Sequence, residues 1–252
     1  SMIGNSGSDQ ICSAGWGDAS VIIPYTLYRK YGDVRILKEN FSMMEAWLGY
    51  IEQQASTCFL KPEEEYTAEE LERQKYLWNT GFHFGDWLYP SAMENGMTNP
   101  VETALRTKEY AAPLMFAYTA KLMAEICSAL GNGKEMHYRT LNKQIRKAYA
   151  EEYINEKGEL PVELQGIYVL ALYMEAYPDE LRGKGIQKLV ELIHKNGNCL
   201  DTGFLSVGFL LDTLWDAGEK KLVWDLIYQE KCPSWLYEVK MGATTIWESW
   251  NA

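Results

Sequence analysis

Wholly apolar and one-sided helical segments alternate along this chain, and that alternation constrains its fold more than any other feature. Apolar recurrence near 3.6 residues predicts eight helices, at about 18–31, 34–55, 108–130, 134–153, 163–177, 179–195, 203–217 and 219–231. The first, third, fifth and seventh are apolar nearly all the way round, as in Leu114-Met115-Phe116-Ala117-Tyr118 and Ile167-Tyr168-Val169-Leu170-Ala171-Leu172. The others are one-sided: Ile186, Leu189, Val190 and Ile193 form a stripe opposed by Lys184, Gln187, Lys188 and Glu191. A helix apolar on every side must be enclosed, whereas an amphipathic one lies at a surface. Strict alternation therefore predicts an all-α toroid, with an inner ring of helices wrapped by an outer ring.

The links between helices fall into two kinds. Inner helices pass to outer ones through tight stops: Tyr31-Gly32-Asp33, Leu130-Gly131-Asn132-Gly133, Tyr177-Pro178-Asp179 and Asp216-Ala217-Gly218. The last three recur roughly every 40–47 residues, the period of a helical-hairpin repeat. An open solenoid would share that period, but no constant repeat consensus is visible. Outer helices return to inner ones through longer connectors with unusual chemistry. These carry Gly15-Trp16-Gly17-Asp18, a long excursion over 56–107 with Phe82-His83-Phe84-Gly85-Asp86-Trp87-Leu88, then Glu159-Leu160-Pro161-Val162-Glu163, and then Asp201-Thr202-Gly203. In an up-down ring such connectors open on one end, so their acids are expected to converge. Trp16, Trp78, Trp87, Trp235, Trp247 and Trp250 fall in these connectors, where function normally resides.

Composition narrows the function. A chain of 252 residues with 47% hydrophobic content can bury one large core, and the whole of it reads as part of a single domain. The net charge of −11 argues against nucleic acid or an anionic membrane as partner. Cys12, Cys58, Cys127, Cys199 and Cys232 are scattered, and His83, His137 and His194 have no metal-ligand spacing, so neither metal nor cofactor is expected. With no signal peptide visible, a cytoplasmic location is the expectation, although Ser1-Met2 resembles a cloning scar. No phosphate loop, dinucleotide fingerprint, HExxH or nucleophile elbow is present.

The candidate site residues are acids set among aromatics. Glu248 stands between Trp247 and Trp250, an arrangement that suits stacking on a hydroxylated ligand and that could desolvate the acid for proton transfer. Asp18 reads either as the cap of the first helix or as a ligand contact beside Trp16, with Gly15 and Gly17 allowing close approach. Asp86, between Gly85 and Trp87 in a loop too long to be a mere link, reads as a ligand contact. Asp201 and Glu163 read as helix caps, His83 as a structural histidine, and Glu63-Glu64-Glu65 as a solvated helix start. Tryptophan faces stack on sugar C–H faces, and paired acids are what glycoside cleavage requires, so a carbohydrate-active enzyme is the leading class.

Several of these motifs also resemble the catalytic domain of bacterial α-L-rhamnosidases, glycoside hydrolase family 78. They are Gly15-Trp16-Gly17-Asp18-Ala19 with Val21-Ile22-Ile23-Pro24-Tyr25, Phe84-Gly85-Asp86-Trp87-Leu88, Thr202-Gly203-Phe204-Leu205, Cys232-Pro233-Ser234-Trp235 and Gly242-Ala243-Thr244-Thr245-Ile246-Trp247-Glu248. The resemblance implies an (α/α)6 barrel, of which eight of twelve helices are seen here, and inverting hydrolysis of terminal α-L-rhamnose. It places Glu248 as the general base and Trp16, Asp18, Asp86, Trp87 and Trp247 along the sugar. The family's general acid lies in an Arg-Asp-Glu-Arg-like run that is absent here. A piece of the catalytic domain with little activity of its own is therefore expected, self-associating through an open barrel edge. The alternatives are a non-catalytic sugar-binding or scaffold protein, or another α/α-barrel glycosidase.

Overall fold

In the computed structural model, residues 12–94 and 100–250 are described, and among them every regular element is helical. Ser1-Met2 lies outside the described residues. The chain divides into two compact units. One comprises the residues up to Phe84 together with Lys108–Glu152; the other comprises Gly85–Thr107 and the residues from Tyr153 onward.

In the first unit, α1 (Ala19–Tyr31) and α2 (Arg35–Thr57) form a hairpin. The stop between them is Gly32, left-handed at φ 69°, whose N–H closes on Tyr28 O. A side chain is disfavoured in that conformation, so the glycine ends the helix where the sequence predicts. α2 buries Leu37, Met44, Leu48, Ile51 and Ala55, the single stripe of an outer helix. After it come a short 3-10 turn at Glu63–Glu65 and α3 (Ala68–Gln74). The acidic run is thus solvated, but the helix start is Thr67, whose side chain and Glu70 form a reciprocal capping box.

In the second unit, α4 (Pro90–Glu94) is a single turn. α5 (Pro100–Leu130) runs through both units and begins well before the predicted position 108. α6 (Glu135–Tyr153) follows and belongs, but for its last residue, to the first unit, where Asn142 Nδ2 donates to Ala117 O of α5 at 2.8 Å. The second unit continues with α7 (Gln165–Tyr173), α8 (Asp179–Lys195), α9 (Val207–Asp216), α10 (Lys220–Ile227) and the short α11 (Trp235–Lys240). α7 packs on α8 and α9, and α9 on α10.

A nine-residue helix such as α7 is marginal alone, so packing must decide its conformation. Every residue from Gln165 to Leu172 is buried. At roughly 1.5–3 kcal/mol for each large apolar side chain, Ile167, Val169, Leu170 and Leu172 outweigh any propensity term. The central part of α5, from Ala111 to Cys127, is nearly as enclosed. The expectation of burial on every side fails for the other two apolar helices. α1 buries only Val21 and Pro24 and exposes Ile23 and Tyr31, while α9 buries Leu210, Thr213 and Leu214 and exposes Trp215. An apolar pattern states what a helix can bury, whereas its neighbours decide what is covered. No helix among the described residues is long and apolar enough to cross a membrane.

Candidate functional site

Asp18 is fully buried at the start of α1 in helical conformation, yet it makes no side-chain cap. Its Oδ2 accepts the Gly15 N–H at 2.7 Å. Its Oδ1 accepts Trp47 Nε1–H at 2.7 Å and the Thr119 hydroxyl at 2.8 Å. The capping role is therefore replaced by a junction joining the 15–18 turn, α2 and α5. Burial pushes the Asp18 carboxyl up from its ordinary value, and these donors pull against that. Gly17 is needed for the same junction: a Cβ there would lie 2.1 Å from the Trp47 ring. The space that this glycine leaves is filled by indole.

Trp16 is 40% exposed, with its ring 4.6 Å from Phe84. His83, also in the first unit, is enclosed. Its Nδ1 accepts the Ala14 N–H at 3.1 Å, and Nε2 lies 2.9 Å from Thr80 O, which assigns the proton to Nε2. Burial drives its pKa down to about 4. Both ring nitrogens hold backbone, as a structural histidine should.

In the second unit Asp86 performs a related task at larger scale. Its Oδ1 accepts the N–H groups of Leu205 and Ser206, each at 3.1 Å. Oδ2 accepts the Gly203 N–H at 2.9 Å and the Ser206 hydroxyl at 2.7 Å. These are donors of the turn that opens α9, so a carboxylate from far along the chain serves as that helix's N-terminal anion. The predicted start at 203 thus becomes 207. Burial pushes the Asp86 carboxyl up, and the four donors oppose it. A Cβ on Gly166 would come within 1.9 Å of Asp86 Oδ2, and one on Gly203 within 2.4 Å of Trp87 O. The half-buried Trp87 carries a backbone oxygen that accepts the Phe204 N–H at 2.9 Å.

Further connectors meet the same segment. Asp201 N–H donates to Gln165 Oε1, Asp201 Oδ1 accepts the Ser91 N–H in α4, and Leu200 N–H donates to Pro233 O. Asp201 therefore serves another helix than its own. Glu163 caps nothing and is exposed, paired with Lys188 at 2.5 Å. Trp250 Nε1–H donates to Thr202 O at 3.1 Å, and its ring lies 6.0 Å from Trp235. Connectors around 85–91, 163–165, 199–206 and 233–250 thus meet within one unit, bringing Asp86 and Trp87 onto the segment that anchors the stretch bearing Trp247 and Glu248.

Glu248 itself is exposed, and Trp247 half-buried. The two flanking indoles do not enclose the acid, because Trp250 turns toward Thr202 and Trp235. Glu248 instead stands in solvent between two anchors, the Trp247 N–H, which donates to Glu238 at 3.4 Å, and the Trp250 indole. Trp47, Thr119, Gly166 and Ser206 were not legible as site residues. The one available signal was glycine at 166, inside an otherwise apolar helical run. A separate pocket of about 310 Å³, lined by Glu69, Arg73, Tyr76, Lys147 and Glu151, contains none of the candidate residues. Among the described residues no His, Cys, Asp or Glu cluster is arranged to hold a metal.

Helical hairpins whose long connectors carry acids and indoles make this an α/α-hairpin domain. The comparisons give the family. The model of the bacterial alpha-L-rhamnosidase six-hairpin glycosidase domain matches residues 4–252, and the chain belongs to that family. An alpha-L-rhamnosidase of Streptomyces avermitilis is 35% identical over 239 residues, and one of Formosa agariphila 35% over 242; each match covers 95% of this chain. The chain spans only 20% and 24% of those two proteins. Among solved structures, the Streptomyces avermitilis enzyme complexed with L-rhamnose superposes with a TM-score of 0.77 at 33% identity, over 95% of this chain and 20% of that one. The alpha-L-rhamnosidase of Aspergillus terreus superposes with a TM-score of 0.80 at 25% identity, over 98% and 26%. The fold class is thus the α/α toroid type that the alternating helices predict.

Proposed function

We propose that this chain is part of an inverting α-L-rhamnosidase that removes terminal α-L-rhamnose from glycosides, with Glu248 as the base that activates the attacking water. The observation that carries this reading is the family membership, combined with a solvent-facing carboxylate on a segment anchored at both sides. That relatives are named alpha-L-rhamnosidases, one of them solved with L-rhamnose, supports the substrate class. Trp16, Trp87 and Trp247 offer faces for the sugar's C–H groups. Asp18 and Asp86 join the proposed binding set as the residues that shape two of its segments. Direct contact with a sugar hydroxyl would require either to exchange one of its internal donors.

Inversion needs two carboxyl groups roughly 6.5–9.5 Å apart, one protonating the leaving oxygen and one activating water. The oxygens of Asp18 and Asp86 already accept internal donors, so neither is readily available as the acid. Little turnover by this chain alone is the expected result. The test pairs calorimetry with L-rhamnose and an assay on an aryl α-L-rhamnoside, for the chain and for Glu248→Gln. Binding with little turnover supports the proposal. Brisk turnover abolished by Glu248→Gln would assign an acid within the chain, and absence of any heat would favour a scaffold. Self-association belongs to the same proposal, since Phe204, Trp215, Trp224 and Tyr228 are exposed on and beside α9 and α10. Sedimentation at high concentration should find dimers; a strictly monomeric chain would count against it.

A further inference from the structure

Glu238 is a buried acid that no motif drew attention to. It lies in α11, whose first turn is capped by Ser234 Oγ accepting the Tyr237 N–H at 3.2 Å. Glu238 is 3% exposed, although it sits on a six-residue helix with exposed neighbours Val239 and Met241. Buried carboxyls are uncommon unless something is held by them. Two bonds show what Glu238 holds. Its backbone oxygen accepts the Ala243 N–H at 3.0 Å, and its Oε2 accepts the Trp247 N–H at 3.4 Å. Gly242, left-handed at φ 91°, turns the chain just before the first of these points, and Thr244, Thr245 and Ile246 stand exposed between them. One residue therefore grips both ends of the 243–247 loop, and the second grip falls on the amide immediately before Glu248. The other oxygen, Oε1, is buried without a partner, so the carboxyl is not there for its own satisfaction. Burial pushes the carboxyl up from its ordinary value, with the Trp247 N–H pulling the other way.

We propose that Glu238 is a positioning residue that fixes the Trp247–Glu248 segment by clasping its backbone, so that the Glu248 carboxylate is presented from a fixed point. The catalytic meaning of this clasp rests on the reading of Glu248 as the water-activating base; the clasp itself does not. Two variants separate holding from packing. Glu238→Met fills similar space with no acceptor, whereas Glu238→Gln keeps a carbonyl oxygen where Oε2 lies.

Amide hydrogen exchange across 242–250 of the whole chain reads the clasp directly. In Glu238→Met the Trp247 amide should exchange about tenfold faster, the change in local opening expected from losing one hydrogen bond, while the melting temperature holds or rises. In Glu238→Gln exchange should return to within about twofold of the parent. Unchanged exchange at Trp247 in Glu238→Met, or a failure of Glu238→Gln to restore it, would overturn the proposal. Calorimetry with L-rhamnose gives the functional arm, with Glu238→Met expected to bind about tenfold more weakly and Glu238→Gln like the parent. If the parent gives no heat, the rhamnosidase reading fails, and the exchange result still decides the clasp.

Discussion

Asp86 and Glu248 belong to the same compact unit, on connectors that meet through Thr202, Gly203 and Phe204, yet their situations are opposite. Asp86 is 1% exposed and accepts four donors from a single turn; Glu248 faces solvent on a segment held by its neighbours. A carboxylate whose lone pairs are matched to fixed N–H groups gives structure and resists change, because reaching a ligand means abandoning buried donors. One that faces water has its lone pairs available for a water molecule or a hydroxyl. The difference teaches that an acid beside a tryptophan is not one kind of residue. Its neighbours' backbone, not its sequence motif, decides whether it organises a connector or presents chemistry. Asp18, in the other unit, sides with Asp86.

The largest expected effect lies at the buried end of this comparison. Asp86→Ala leaves three backbone N–H groups and a hydroxyl without their acceptor, which should cost about 3–5 kcal/mol in urea unfolding and loosen 203–206 in hydrogen exchange. Gly166→Ala attacks the same node by sterics, since its new methyl falls 1.9 Å from Oδ2, and should cost about 3 kcal/mol. If Asp86→Ala unfolds at the parent's urea midpoint, the buried class collapses into the exposed one.

His83 extends the contrast to pH. Its folded pKa of about 4 lies below the ordinary histidine value of 6.5, so between them the native state binds fewer protons than the unfolded chain. Its contribution is therefore complete above pH 6.5 and is lost as pH falls toward 4, about 3 kcal/mol at 1.36 kcal/mol per unit. Asp18 and Asp86 work against this: their raised pKa values favour the native state on the acid side, and that advantage fades as pH rises through them. Comparing stability–pH curves for the parent and His83→Gln isolates the histidine, and the variant should lose less stability on acidification. A smaller step is expected for Asp18→Asn. It keeps an oxygen for Trp47 and Thr119 but turns an NH2 toward the Gly15 N–H, costing about 1–2 kcal/mol by thermal melting.

The helices were legible because each carries its own signal. α2 shows its stripe and α7 its unbroken apolar run, and Gly32 marks a stop whose left-handed φ excludes most other residues. The connectors were legible only as composition. That Asp18 and Asp86 matter could be read from their glycine and tryptophan neighbours; what they hold could not. Trp47 is 29 residues from Asp18, Thr119 is 101 away, and Ser206 is 120 from Asp86. Nothing periodic links such pairs, and Trp47 sits on an outer helix where an indole has no evident reason to be. The sequence offers Gly17 as room for a ligand, but the room belongs to Trp47. A missing side chain is not open space, because a folded interior seldom leaves any.

The smallest effect is expected where function is proposed to concentrate. Glu248→Gln removes a charge from an exposed side chain and leaves the Glu238 and Trp250 anchors intact, so stability should stay within about 0.5 kcal/mol of the parent. The same substitution should abolish whatever turnover of an aryl α-L-rhamnoside the parent displays, since an amide cannot take a proton from water. Asp86→Asn makes the matched control, with a clear loss of stability and a weakening of L-rhamnose binding that follows the fraction unfolded. If Glu248→Gln instead destabilised the chain as much as Asp86→Asn, the acid would be a structural member of its loop. The division between organising and presenting carboxylates would then have to be drawn elsewhere.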